Sequence, residues 1–175
     1  MKTLEPPVRY NPDLTQIING EEVMSPSPRL LHQRASMRLE WLLLNHLAKF
    51  DLGELFHAPF DVIFEQDFNH LQPDILFVSK QNQEILQDWV RGTPDLVIEI
   101  VSPGSKKMDT VIKKGIYERY GVPECWIVFP EQVCIEVYTL VDHQYELYGT
   151  FLRQDCVRSK VLEGLSFPVN AISND

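Results

Sequence analysis

Two short runs of β-forming residues each carry a single carboxylate, and that pattern limits what the chain can fold into. One is Gln72-Pro73-Asp74-Ile75-Leu76-Phe77-Val78; the other is Asp95-Leu96-Val97-Ile98-Glu99-Ile100-Val101. Runs this rich in β-branched and aromatic residues read as buried strands. A carboxylate inside such a run is costly to bury unless it is hydrogen-bonded, paired or bound to a metal. The polar, turn-forming stretch 79–94 is long enough to let the two strands lie side by side. Side chains alternate along a strand, so Asp95, Val97, Glu99 and Val101 share one face, and Asp74 shares its face with Leu76 and Val78. Cross-strand neighbours lie about 5 Å apart at Cβ. Asp74 and Glu99 can therefore face one point and form a hard-cation site, which suggests metal-assisted phosphodiester chemistry.

The rest of the chain supplies elements to cover those strands. Asn19-Gly20 is a strong hairpin signal within a Pro-, Asn- and Ser-rich arm over 1–29. Ser27-Pro28 resembles an N-cap followed by proline at the first helical position. It opens a helix expected over 28–49, with Leu31, Ala35, Leu39, Leu42, Leu43 and Leu47 as its apolar face. Trp41-Leu42-Leu43-Leu44 is apolar nearly all round, so that half is expected to be buried on several sides, in the core or against a second copy. Strands are expected over 55–58, 61–64 and 126–129, and a hairpin over 133–140 and 145–151. Ser102-Pro103-Gly104-Ser105 breaks the sheet, a helix follows over 107–120, and Gly121-Val122-Pro123 ends it. This order reads as one α/β domain, 1–175, with a mixed sheet flanked by helices.

Charge narrows the function classes. A net charge of −9 argues against a protein that coats nucleic acid non-specifically, because such proteins neutralise phosphates over broad positive surfaces. It does not exclude a nuclease, since a local basic stripe and a bound cation can dominate the field at a site. Lys106, Lys107, Lys113 and Lys114 supply a candidate stripe on the second helix. Lys113 and Tyr117, four apart, share a helical face. The lysine is placed to orient a nucleophile or offset phosphate charge, and the tyrosine to hold that lysine or contact the backbone. His32, near the first helix start, is a candidate contact to a phosphate or the metal environment, and Glu40, eight residues on in the same helix, a weaker candidate site residue. The histidines and cysteines lack zinc-ligand spacing. No apolar stretch reaches the length of a membrane span, the first residues lack a secretion-signal core, and Cys125, Cys134 and Cys156 form no Cys-x-x-Cys pair. A cytoplasmic protein is the expectation.

Several of these segments together resemble one family. They are Gly20-Glu21, Met24-Ser25-Pro26 and His32; Gln72-Pro73-Asp74; Pro94 to Pro103; and Asp109, Lys113, Tyr117, Gly121-Val122-Pro123-Glu124 and Trp126-Ile127-Val128. The combination resembles the bacterial putative restriction endonuclease family, a branch of the PD-(D/E)XK nuclease superfamily. The resemblance implies a restriction-endonuclease-like mixed sheet flanked by helices and Mg²⁺-dependent cleavage of DNA, with Mn²⁺ able to substitute. By position it makes Asp74 and Glu99 metal ligands, with the main-chain carbonyl of Ile100 as a further one. The lysine expected two residues after the glutamate is replaced by Val101, and Lys113 takes its role. Cys125 and Phe129 also depart from the family pattern, which usually has Tyr and Asp there.

The expected protein is thus an endonuclease with Asp74, Glu99 and Lys113 as its catalytic set. Lys106, Lys107, Lys114, Tyr117 and His32 are its substrate contacts, DNA its partner and a homodimer its assembly. Its rival is a nuclease fold kept as an interaction or regulatory module without turnover, favoured by Val101 and the acidic balance. Glu99→Ala is expected to leave stability unchanged or raised, on the premise that it relieves repulsion between two buried carboxylates.

Overall fold

The computed structural model describes residues 14–173. The arm expected over 1–29 therefore lies partly outside the described residues. Its hairpin lies within them: β1 (Thr15–Ile18) pairs antiparallel with β2 (Glu21–Met24). Asn19 and Gly20 both adopt positive φ at the turn, the conformation an Asn-Gly hairpin requires.

Two sheets organise the molecule. The larger contains β3 (Gly53–His57), β6 (Ile75–Ser79), β8 (Leu96–Ile100), β9 (Glu124–Phe129), β10 (Cys134–Val141) and β11 (Gln144–Leu152), in the order β11-β10-β9-β8-β6-β3. Only β8 and β9 run parallel, and the second helix makes the crossover between them. The smaller sheet has the order β2-β1-β5-β4-β7, adding β4 (Val62–Glu65), β5 (Asn69–Leu71) and β7 (Val90–Arg91). A short pair, β12 (Cys156–Val157) with β13 (Phe167–Pro168), closes the chain. Buried Glu124 accepts hydrogen bonds from Trp126 Nε1, Ser159 Oγ and the Lys160 N–H, which ties this last segment to the sheet.

The central strands are buried on both faces, as their near-continuous apolar sequence requires. Ile75, Phe77, Leu96, Ile98 and Ile100 pack on Ala35, Leu39, Leu43 and Leu47 of α1 (Leu30–Phe50). On the other face Leu76, Val78 and Val97 pack on Ile116 and Tyr117. Each such aliphatic side chain contributes about 1.5–3 kcal/mol on full burial. β6 and β8 pair antiparallel with Ile75 opposite Ile98 and Phe77 opposite Leu96. Extending that register by one residue sets Asp74 opposite Glu99.

Several expectations change. α1 starts at Leu30, with Arg29 at its N-cap and no side-chain cap, so Ser27 does not cap it. Trp41 and Leu44 are 66% and 52% exposed, so the 41–44 segment is not buried on several sides. The cause is geometric. α1 lies on one sheet face, and only its stripe through Ala35, Leu39, Leu43 and Leu47 meets the core; residues 41 and 44 fall on the opposite side. The second helix is not a uniform α-helix. A wide i→i+5 turn over Met108–Lys113 runs into α2 (Lys114–Arg119). β5, β7 and a 3₁₀ turn at Lys80–Ile85 are too short to carry a readable period. No helix among the described residues is long and apolar enough to cross a membrane.

Candidate active site

Asp74 stands at the step into β6, directly after Pro73, and its Oδ2 accepts the Ile100 N–H of β8 at 2.7 Å. The same oxygen lies 3.1 Å from His32 Nε2, in the first turn of α1. Its main-chain carbonyl accepts the Ala58 N–H, which anchors the loop after β3 beside the site. Asp74 thus joins α1 and β8 through its carboxylate and the loop after β3 through its main-chain carbonyl.

Glu99 lies one residue before Ile100 and is 1% exposed. Lys113 Nζ donates to its two oxygens at 3.1 and 3.2 Å, and to the Gln72 carbonyl at 3.2 Å. Tyr117 OH donates to Glu99 Oε1. Lys113 and Tyr117 come from the same helical face, as their spacing of four dictates. The wide turn ends at Lys113 and turns Asp109 inward too, so Asp109 and Lys113 are both buried. Such turns recur at functional sites. Ser105 Oγ donates to Asp109 Oδ2.

The electrostatics follow from burying several charges together. Burial pushes the Glu99 carboxyl up to about 8; Lys113 opposes this, while Asp109 and Asp74 add to it. Burial likewise pushes Asp109 up to about 6, again against the pull of Lys113. Burial disfavours charge on Lys113, but Glu99, Asp74 and Asp109 more than offset it and hold the ammonium above its ordinary value. His32 is also raised: burial works most strongly against its charge, but the hydrogen bond to Asp74 together with the charges of Asp74 and Asp109 outweighs it. All these groups line one cleft of about 430 Å³, walled by residues 25–28 on one side and by His57, Ala58 and Pro59 on another.

The sequence-derived set thus divides. Asp74, Glu99, Lys113, His32 and Ile100 come together at the cleft. The basic stripe does not form. Lys113 is buried on Glu99, and Lys114 Nζ sits 3.9 Å from the centroid of the Tyr138 ring. Lys106 and Lys107 remain exposed, just beyond Ser105 on the cleft wall. Tyr117 is fully buried and spends its hydroxyl on Glu99, so it is a support rather than a substrate contact. His32 points Nε2 at Asp74, and its Nδ1 is buried with no partner among the described residues, so its outward contact is to Asp74 rather than to the phosphate expected from sequence. Asp95 accepts from the Ser79 N–H and from Asn82 Nδ2, the structural role its place at a strand start suggests. Asp109 and Gln72 were missed as site residues. Asp109 had a signal, since it stands four residues before Lys113; a main-chain carbonyl such as that of Gln72 has none. The premise behind Glu99→Ala also falls, because the nearest charge to Glu99 is the buried Lys113 ammonium.

A family described as "Putative restriction endonuclease" matches residues 5–170. The chain belongs to this family, Uma2. Among solved structures, the Uma2 chain is similar to a putative nuclease belonging to DUF820 from Anabaena variabilis ATCC 29413. That match has 17% identity and a TM-score of 0.76, over 90% of this chain and 88% of that one. A looser match is the type IIG restriction endonuclease BpuSI, at 14% identity and TM-score 0.40, over 72% of this chain and 15% of that one. At such identities the first likeness speaks to fold alone, and the mixed α/β architecture of the Uma2 chain agrees with it. No curated protein matches.

Proposed function

We propose that this chain is a Mg²⁺-dependent endonuclease acting on DNA, with Asp74 and Glu99 holding the cation. The observation that carries the reading is the convergence of Asp74, Glu99 and a buried Lys113 on one cleft. The donor set suits a hard cation. Mg²⁺ uses one or two carboxylates and completes its shell with water and phosphate oxygens. A carboxylate has about four acceptor sites. Both side-chain contacts on Asp74 fall on Oδ2, which leaves Oδ1 without a partner among the described residues. Glu99 uses Oε1 for Lys113 and Tyr117 and Oε2 for Lys113, so Oε2 keeps one site open. Among the described residues no three His, Cys, Asp or Glu side chains are grouped as a metal site, so water and substrate would supply the remaining ligands. The Ile100 carbonyl is a further proposed ligand.

When bound, the cation supplies Lewis-acid activation of water and charge stabilisation at the scissile phosphate. The protein positions. Lys113 and Tyr117 hold Glu99 in one rotamer, the Ile100 N–H orients Asp74, and Lys113 brings positive charge to an otherwise acidic cleft. Lys106 and Lys107, exposed just after cleft-lining Ser105, meet the DNA backbone. Two copies assemble through the exposed face of α1, which provides the two sites that double-strand cleavage needs.

Calorimetric titration of Mn²⁺ into the wild type and into Glu99→Gln tests the reading. Binding in the micromolar-to-millimolar range that the substitution removes, together with chelator-sensitive nicking of plasmid DNA, is the expected result. Wild-type protein that binds no Mn²⁺ with or without DNA would instead favour the inert interaction module. That second reading draws on Val101 and on the complete pairing of Lys113.

A further inference from the structure

His32 and the Ile100 N–H approach the same oxygen of Asp74 from different elements. His32 comes from the first turn of α1 and Ile100 from β8, at 3.1 and 2.7 Å. Both elements pack into the core. Ala35 and Leu39, just beyond His32 on α1, are fully buried, and Ile100 is in the central strand. The contact is sheltered too, with 13% of the histidine side chain and 19% of the aspartate side chain exposed. This is not a surface ion pair of small consequence. Because a carboxylate only accepts, Nε2 carries the proton in this contact. Nδ1 is buried and has no partner among the described residues, so none of them offers the ring a second tie to compete with Asp74.

We infer that His32 is a positioning residue for the cation site: with the Ile100 N–H it pins Asp74 Oδ2 and so fixes the orientation of the free Oδ1. The inference rests on the metal reading above and gives His32 a role different from the phosphate contact expected from sequence. A carboxylate anchored at one oxygen has lost the rotation about its terminal bond that a cation would otherwise have to freeze. Partners that orient a ligand in this way typically set metal affinity by 10–100-fold. Gln72 and Asp61 show that the fold orders polar side chains around this strand entry elsewhere, through a 2.9 Å hydrogen bond. No such contact reaches Asp74 among the described residues, which leaves His32 as its one side-chain anchor.

The test is Mn²⁺ calorimetry at one pH on the wild type, His32→Ala, His32→Gln and Glu99→Gln, with melting temperatures recorded in parallel. His32→Ala should bind Mn²⁺ 10–100-fold more weakly. His32→Gln, whose amide N–H reaches about as far as Nε2, should recover most of that loss. Recovery by glutamine is an outcome that simple loss of packing would not produce. If His32→Ala unfolds, the glutamine variant decides: near-wild-type affinity supports the inference. Loss of affinity in a folded glutamine variant overturns it. If Glu99→Gln loses binding while His32→Ala binds like the wild type, the cation site stands and the inference falls. If the wild type binds no Mn²⁺, the metal reading falls and takes this inference with it.

Discussion

At Glu99 and Lys113, the contact that the proposed cation site draws on also bears on stability. Removing one member of a buried ion pair strands the other and costs about 3–5 kcal/mol, whereas replacing both by apolar groups of similar volume is often neutral or stabilising. Glu99→Ala is therefore expected to lower the melting temperature sharply, and Glu99→Leu combined with Lys113→Met to restore it. Urea or thermal unfolding of the single and double variants checks this; additive losses would mean that the two side chains are not coupled. The raised groups also give the protein a definite pH dependence. Asp109 moves from 3.8 to about 6 and Glu99 from 4.5 to about 8 on folding. Both bind protons more tightly when folded, so the stability they contribute is complete below their unfolded values and is lost as pH rises through about 6 and about 8. His32 is raised and acts in the same direction. Melting temperature should fall from pH 5 to 9 in chelator, Asp109→Asn should flatten the first part of that fall, and Mg²⁺ should counter the second. A flat profile in chelator would contradict the burial argument.

Among the elements, α1 and the second helix do opposite things with their apolar residues. α1 buries one stripe and leaves Met37, Trp41 and Leu44 exposed along the other side, at the i, i+4, i+7 spacing of a single helical face. An exposed apolar face of this kind marks an interaction surface more often than chance exposure does. Because these side chains carry no core load, Trp41→Glu with Leu44→Glu should leave each subunit folded by circular dichroism while shifting the mass measured by light scattering from dimer to monomer. A wild type that runs as a monomer at high concentration would remove α1 as the assembly face. The second helix spends its inward face on charge. Its wide turn brings Asp109 and Lys113 inward together and leaves Lys114 on Tyr138. A basic stripe read from lysine spacing assumes that all those lysines are solvated, and this packing denies that to half of them.

Over the whole molecule, a net charge of −9 and an acidic cleft leave few free cations for DNA. Lys106 and Lys107 are exposed and follow cleft-lining Ser105 in sequence. With Glu99→Gln to prevent turnover, Lys106→Ala with Lys107→Ala should weaken binding to a short duplex and reduce the slope of log K against log salt by about two. Fluorescence anisotropy across a salt series measures it, and an unchanged slope would exclude these lysines as phosphate contacts. What the sequence by itself determined is the part set by local pattern: two buried strands with a carboxylate each, the Asn-Gly hairpin, the helix crossover, and hence the mixed sheet. Strand alternation and loop length together also made Asp74 and Glu99 neighbours, because antiparallel pairing admits few registers once both faces are apolar. Only the tertiary structure decided which charges are spent on one another. Whether Lys113 faces solvent or Glu99, whether His32 meets a phosphate or Asp74, and whether Trp41 is core or surface all depend on which element packs on which sheet face. Those choices are made by contacts far apart in sequence, and no local period records them.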